Sequence, residues 1–274
     1  MRSADRLAGI GATLRGLLGP LTRGGAARLA LLLLVALPLG ALPATARETG
    51  EPEKGAALVR VVHLSPDAPA VRVTVDGEDV KALSDVAYLD ATPYLELPAG
   101  PHRLAAYPTE AEPDVEPVLE AEIEPGAGES YTVVGIGLVE DETLAARLFV
   151  DNNREPERGK AKVRIVHAVP DLGPARVGSG DTPELLVLPG FSNASGYAEV
   201  DGGTYTLDVT PSGADSPAFS FPEATVEAGS IYTAFAVGQA AEKTLGAIVT
   251  EDSAEGEVVA RTGDARKTKE NSTD

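Results

Sequence analysis

The residues best suited to chemistry come in a phrase that occurs twice. "VRVVHLSPD" spans Val59 to Asp67, and "VRIVHAVPD" spans Val163 to Asp171. Six of the nine positions are identical, among them His63/His167, Pro66/Pro170 and Asp67/Asp171. The chain has only three histidines, so two of them sit in this phrase. An imidazole four residues from a carboxylate could act as a base with its orienting acid, or supply two ligands of a metal site. A zinc site needs three or four converging ligands. Carboxylates could join His63/Asp67 or His167/Asp171, but nothing in the spacing demands it, and His102 stands alone after a "PAG" turn. Strand parity offers a structural reading. On an extended segment His63 shares a face with Val59 and Val61, and His167 shares one with Val163 and Ile165, while Arg60 and Arg164 lie on the opposite face. Each imidazole then points to a core at a strand end closed by proline, where neutral His can donate to a loop carbonyl and accept from a loop amide. Asp67 and Asp171 follow in the turn, where a carboxylate caps backbone N–H groups. The structural reading is preferred, with no catalytic, metal-binding or cofactor-binding residues assigned.

Other catalytic signals are poor, and no carboxylate pair is singled out for hydrolysis. "GIG" at Gly135–Gly137 lacks the third glycine and helix of a dinucleotide loop, and "GFSNASG" from Gly190 does not have the spacing of a nucleophile elbow. Glu140/Asp141 and Glu251/Asp252 read as solvated loop charges, and Asn193–Ala194–Ser195 matches a glycosylation sequon by pattern alone. The chain has no cysteine, which excludes disulfides, thiolate metal sites and a cysteine nucleophile.

The elements that must position these residues are strands. "AVRVTVDGEDVKAL" alternates Val71, Val73 and Val75 with polar residues before an Asp76–Gly77 reversal. "PAG" at Pro98–Gly100 and "DGG" at Asp201–Gly203 read as hairpin turns, and "SYTVVGIGLV" and "IYTAFAVG" as buried strands. The histidines are 104 residues apart, Tyr94 and Tyr197 are 103 apart, and Tyr131 and Tyr232 are 101 apart. Three anchors in one order at nearly one offset indicate a domain-sized tandem duplication. The expected fold is all-β: two tandem immunoglobulin-like β-sandwich domains, residues 57–151 and 161–251, joined by the polar stretch "DNNREPERGKA". A small barrel is the alternative for each. Residues 252–274 read as a polar, disordered tail.

Residues 1–46 are of another kind. Five arginines precede the apolar run Leu29 to Leu42, and "PATA" ends at Ala46. This reads as a secretory signal peptide, with retention as an N-terminal anchor as the alternative. The run of 14 residues is short for a spanning helix, which needs about 20. Without residues 1–46 the chain has 23 − 5 = 18 basic and 42 − 1 = 41 acidic residues, a net charge of −23. So acidic a surface repels nucleic acid and anionic lipid and associates weakly with divalent cations.

At the repeated phrase, "VRVVHLSPDAPAVRVTVDG" followed by "VAYLDATPYLELPAGPHRLAAYP" resembles DUF family 4397, an uncharacterised domain family. The resemblance covers residues 58–250. The second copy departs after Asp171, where "LGPARVGSGD" replaces "APAVRVTVDG" and the Asp-Gly turn is lost. The resemblance implies exported, often tandem β-sandwiches and brings no activity. The functional expectation is an exported, non-enzymatic protein of the cell envelope or exterior. It would act as a binding, adhesion or spacer module on an unknown envelope or extracellular component, with no membrane span in the mature chain. The alternative is a secreted hydrolase or metal-dependent enzyme using the His-Pro-Asp corner.

Overall fold

A computed structural model describes residues 55–112, 115–180, 182–252 and 258–263. The signal-peptide reading at 1–46 lies outside them. All described residues fall in one compact unit. Among them, every long element is a strand, and no helix is long and apolar enough to cross a membrane.

The first repeat has β1 (Ala56–His63), β2 (Val71–Val75), β3 (Glu78–Asp79), β4 (Leu95–Pro98), β5 (His102–Pro108), β6 (Leu119–Ile123), β7 (Ser130–Ile136) and β8 (Ala145–Asp151). They form two four-stranded sheets, ordered β4-β1-β7-β8 and β3-β2-β5-β6. Val59, Val61 and Val133 of one sheet meet Val73, Leu104 and Ile123 of the other, so the repeat is a sandwich with its core between the sheets. β1 and β7 pair in parallel and the other neighbours antiparallel. The reversal at Asp76–Gly77 has positive φ at both residues, as a tight two-residue hairpin requires.

The second repeat has β9 (Lys160–His167), β10 (Ala175–Ser179), β11 (Thr182–Leu188), β12 (Ala198–Asp201), β13 (Gly203–Pro211), β14 (Phe219–Val226), β15 (Ile231–Val237), β16 (Gly246–Glu251) and β17 (Val258–Gly263). Its sheets run β12-β9-β15-β16-β17 and β11-β10-β13-β14. The pairing scheme of the first repeat recurs, including the parallel pair β9–β15.

Three expectations need correction. "PAG" and "DGG" do not close hairpins: β4 pairs with β1 while β5 pairs with β2, and β12 pairs with β9 while β13 pairs with β10, so these turns carry the chain from one sheet to the other. Alternating runs around a glycine look the same whether the next strand joins the same sheet or the facing one. The second copy keeps its hairpin without the Asp-Gly pair: β11 is longer than β3 and pairs with β10 through a register shift between Val177 and Ser179. Part of the expected tail is strand. Within 252–274, β17 pairs antiparallel with β16, held by the backbone ladder and not by a rich apolar face. Residues 253–257 and 264–274 lie outside the described residues.

β1 and β9 are buried over nearly their whole length, on both faces. Strands buried on both sides read as near-continuous apolar runs, and "VRVVHL" is such a run. The second face of β1 and β7 carries Val62, Leu64, Val134 and Ile136. These pack with Val166, Ala168, Phe235, Val237 and Ile248 of the second repeat. A third core therefore lies between the repeats.

Candidate functional site

Each repeated phrase builds a closed corner. His63 lies at the end of β1 and is 5 % exposed. Its Nε2 donates to the Pro69 carbonyl at 3.0 Å, and its Nδ1 accepts from the Ser65 amide at 3.3 Å. His167 repeats this: Nε2 donates to the Gly173 carbonyl at 3.3 Å, and Nδ1 accepts from the Val169 amide at 3.2 Å. A donor and an acceptor on one ring define the neutral tautomer. Burial pushes both imidazoles below their ordinary pKa, against the pull of the carbonyls. Tyr88 stands edge-on to His63, and Phe191 edge-on to His167. Neither ring has a nitrogen free for a substrate or a metal.

The carboxylates reach across to the β7–β8 and β15–β16 loops. Asp67 accepts from the amides of Val139 and Glu140 at 3.0 and 2.9 Å, and from the Ser65 hydroxyl. Partial burial opposes its ionisation, yet these donors hold it below the usual carboxylate range. Asp171 accepts from the amides of Ala240 and Ala241 at 2.8 and 2.7 Å. The capped groups belong to a loop some seventy residues on, not to the local turn. Those loops depend on Gly137 and Gly238, both at positive φ, where an added Cβ would overlap the carbonyl oxygen of Thr143 or Thr244. "GIG" is thus a loop hinge and not a phosphate cradle.

His102 is occupied differently. Its Nδ1 faces Asp76 and its Nε2 faces the Pro98 carbonyl, each at 2.7 Å. Both partners accept, so both nitrogens carry protons, and the Asp76 hydrogen bond raises its pKa. The sequon residues have backbone roles: Asn193 Nδ2 donates to the Gly190 and Phe191 carbonyls, and the Ser195 hydroxyl accepts from the Ile165 amide.

Parity placed Arg60 and Arg164 on the face away from the His, and that face is the inter-repeat seam. Arg60 is fully buried; its Nη2 meets Asp252 Oδ1 at 2.5 Å and its Nε donates to the Thr132 hydroxyl. Arg164 pairs with Asp151 through Nη2 and donates from Nε to Thr233. Tyr94 donates to Asp151 and Tyr197 to Asp252, while each Tyr ring lies under the guanidinium of its own repeat. Burial opposes the charge on both guanidinium groups, but the carboxylates win and raise their pKa values. Each repeat thus donates an Arg to the other's Asp. The reading of Asp252 as a solvated loop charge is corrected: its side chain is fully buried. Sequence reasoning missed this cluster because its members lie 192 and 13 residues apart, with no motif spacing. The available signal was the second apolar face around Arg60.

The cavity of the first repeat is a third feature. About 60 Å³ of space lies between its sheets, walled by Val61, Leu104, Leu119, Val133 and Ala146, with His63 at one end. Its lining is almost wholly apolar. Among the described residues no group of three or more His, Asp or Glu is arranged to hold a metal ion.

The duplicated corner and the paired strands agree with what a comparison of families finds. Residues 57–177 and 182–264 match the family described as a domain of unknown function, DUF4397. The chain belongs to that family. The first DUF4397 match runs beyond β8 through β9 to Val177 and the second starts at Thr182, whereas the sheets divide the two repeats between β8 and β9. No curated protein matches the chain.

Proposed function

We propose that this chain is an exported, non-catalytic module of the cell envelope or exterior, in which two immunoglobulin-like sandwiches act as one rigid binding, adhesion or spacer body. The observation that carries this reading is the state of the repeated phrase. Both nitrogens of each corner imidazole, and both oxygens of Asp67 and Asp171, are engaged by the protein's own backbone. Imidazoles committed in this way stabilise a fold, since a general base or metal ligand needs a free ring nitrogen, and each carboxylate is held in place by the loop it caps. The reciprocal ion pairs support rigidity, because the repeats share a core instead of flexing on a linker. The arginine-led apolar segment at 1–46 supports export, and the strong negative charge suits a soluble surface.

His63→Ala and Asp67→Asn in the full chain test this. The expected result is a lowered melting temperature with unchanged capture of envelope components by the variants that remain folded. A hydrolytic or metal-dependent activity abolished by His63→Ala without loss of stability would overturn it, as would a cytoplasmic location of the native protein.

A further inference from the structure

The two repeats differ at one sheet edge. In the second repeat β17 lies along β16, pairing Gly246 with Gly263 and Thr250 with Val258. The equivalent strand of the first repeat, β8, ends its sheet, and among the described residues no strand lies on its far side. The chain leaves β8 as the connection to β9 instead of folding back. Two further contrasts accompany this. On the inner face of β8, Leu148 and Val150 are 39 % and 59 % exposed, whereas the matching Val249 and Glu251 are half-buried. The loop before β8 carries Glu140, Asp141 and Glu142, all exposed, where the second repeat has Ala241, Glu242 and Lys243.

The far side of β8 is partly engaged, since the Ala146 carbonyl accepts from Arg147 and the Val150 carbonyl from Arg164, and pairing there would use the Leu148 amide and carbonyl and the neighbouring outward amides. By ladder alternation the N–H and C=O of Leu148 point away from β7, as the Val150 carbonyl does. The edge also continues an established interface. Arg261 of β17 crosses from the second repeat to the Leu89 carbonyl of the first, and Arg147 of β8 makes the converse approach to Ser192. A strand on β8 would extend that seam as β17 does.

We propose that the β8 edge binds an extended segment of a partner polypeptide by strand addition, the segment carrying small or apolar residues at alternate positions followed by basic residues. Backbone pairing supplies affinity, and the side chains facing Leu148 and Val150 supply selectivity. Run antiparallel like β17, the segment ends beside Ala145, next to the three carboxylates, which is where its basic residues are needed. A second copy of this chain carries such a segment, but its residues 258–263 are already paired with β16 and two such acidic surfaces repel, so it is the less suited occupant. The proposal deepens the reading of a binding module and rests on it, but the two fail separately: loss of this edge leaves export and the closed corners untouched.

The test uses the full chain and a labelled peptide with the sequence of residues 258–269, VVARTGDARKTK, an apolar strand with a basic end. Fluorescence anisotropy is expected to show saturable binding, weakened about tenfold by Leu148→Pro, which removes the outward amide. The combined Glu140→Gln, Asp141→Asn and Glu142→Gln variant is expected to weaken binding severalfold and to flatten its salt dependence. Amide shifts in the unaltered protein should centre on Ala146 and Leu148, which decides the matter if Leu148→Pro does not fold. Absence of saturable binding, shifts centred on β16, or binding indifferent to these variants would overturn the proposal. So would a concentration-dependent dimer abolished by Leu148→Pro, since that assigns the edge to a second copy.

Discussion

Arg60 and His63 stand three residues apart on β1 and serve different neighbours. The imidazole closes its own repeat, through Pro69 and the Ser65 amide. The guanidinium closes the other repeat, through Asp252. One strand thus holds two kinds of polar group in two dry environments. The imidazole is kept neutral by burial, whereas the guanidinium is kept charged by a carboxylate. A buried group that can lose its charge does so, and one that cannot must find an opposite charge. Duplication preserved both solutions at β9, with His167 and Arg164 in the same order.

The largest effect expected from breaking this comparison is at the seam. Arg60→Ala leaves Asp252 buried without its charge partner and should cost about 3–5 kcal/mol in urea denaturation, far more than an exposed ion pair would. A smaller result would mean that the seam admits water. A double-mutant cycle with Asp252→Asn should show strong coupling, and the same cycle with Asp67→Asn should be near additive, because corner and seam use opposite faces. Next come the loop glycines. Gly137→Ala and Gly238→Ala should each cost about 1–3 kcal/mol from positive φ and carbonyl overlap, and nearly equally. Unequal losses would show that the two corners are not equivalent. His63→Ala should cost about 1–3 kcal/mol, the penalty for stranding the Pro69 carbonyl and Ser65 amide, without altering the Arg60–Asp252 coupling.

The smallest effect separates the histidines by pH. His63 and His167 have folded pKa values below the unfolded 6.5, so their stabilisation is complete above 6.5 and declines as pH falls and the unfolded chain takes up protons first. His102 has a raised folded value, so its contribution is present below 6.5 and is lost as pH rises through that folded value. Between neutral and mildly acidic pH the two buried corners therefore make the urea midpoint fall, and His102 opposes that fall. His102→Asn should steepen the fall, and His63→Ala should make it shallower. A stability that rises on acidification in the His102→Asn variant would contradict the neutral, buried corners.

Strand content and the duplication are legible in the sequence because alternation and constant offsets are local signals. The face of each histidine follows from parity, and the structure places His63 and His167 on it. What covers the opposite face is not a local property. Val62, Leu64, Val134 and Ile136 announce a second dry surface, but only the fold shows that Phe235 and Ile248 meet it. The same reason hid Asp151 and Asp252. Each looks like an acid at the end of a strand, and its partner lies in the other repeat. β17 was illegible for another reason: "VVARTG" has little to bury, and its order comes from the ladder offered by β16.

The pairing of Arg60 with a carboxylate 192 positions downstream has a consequence for how the molecule is made. On a ribosome or a translocon the first repeat emerges long before its seam can close. It must wait with a charged group and an apolar sheet face uncovered, because the residues that cover them, among them Phe235, Ile248 and Asp252, follow much later in the sequence. Contacts of such long sequence separation form slowly and leave surface open to wrong partners in the interval. The vulnerable period therefore belongs to the first repeat alone, and it ends when Asp252 arrives.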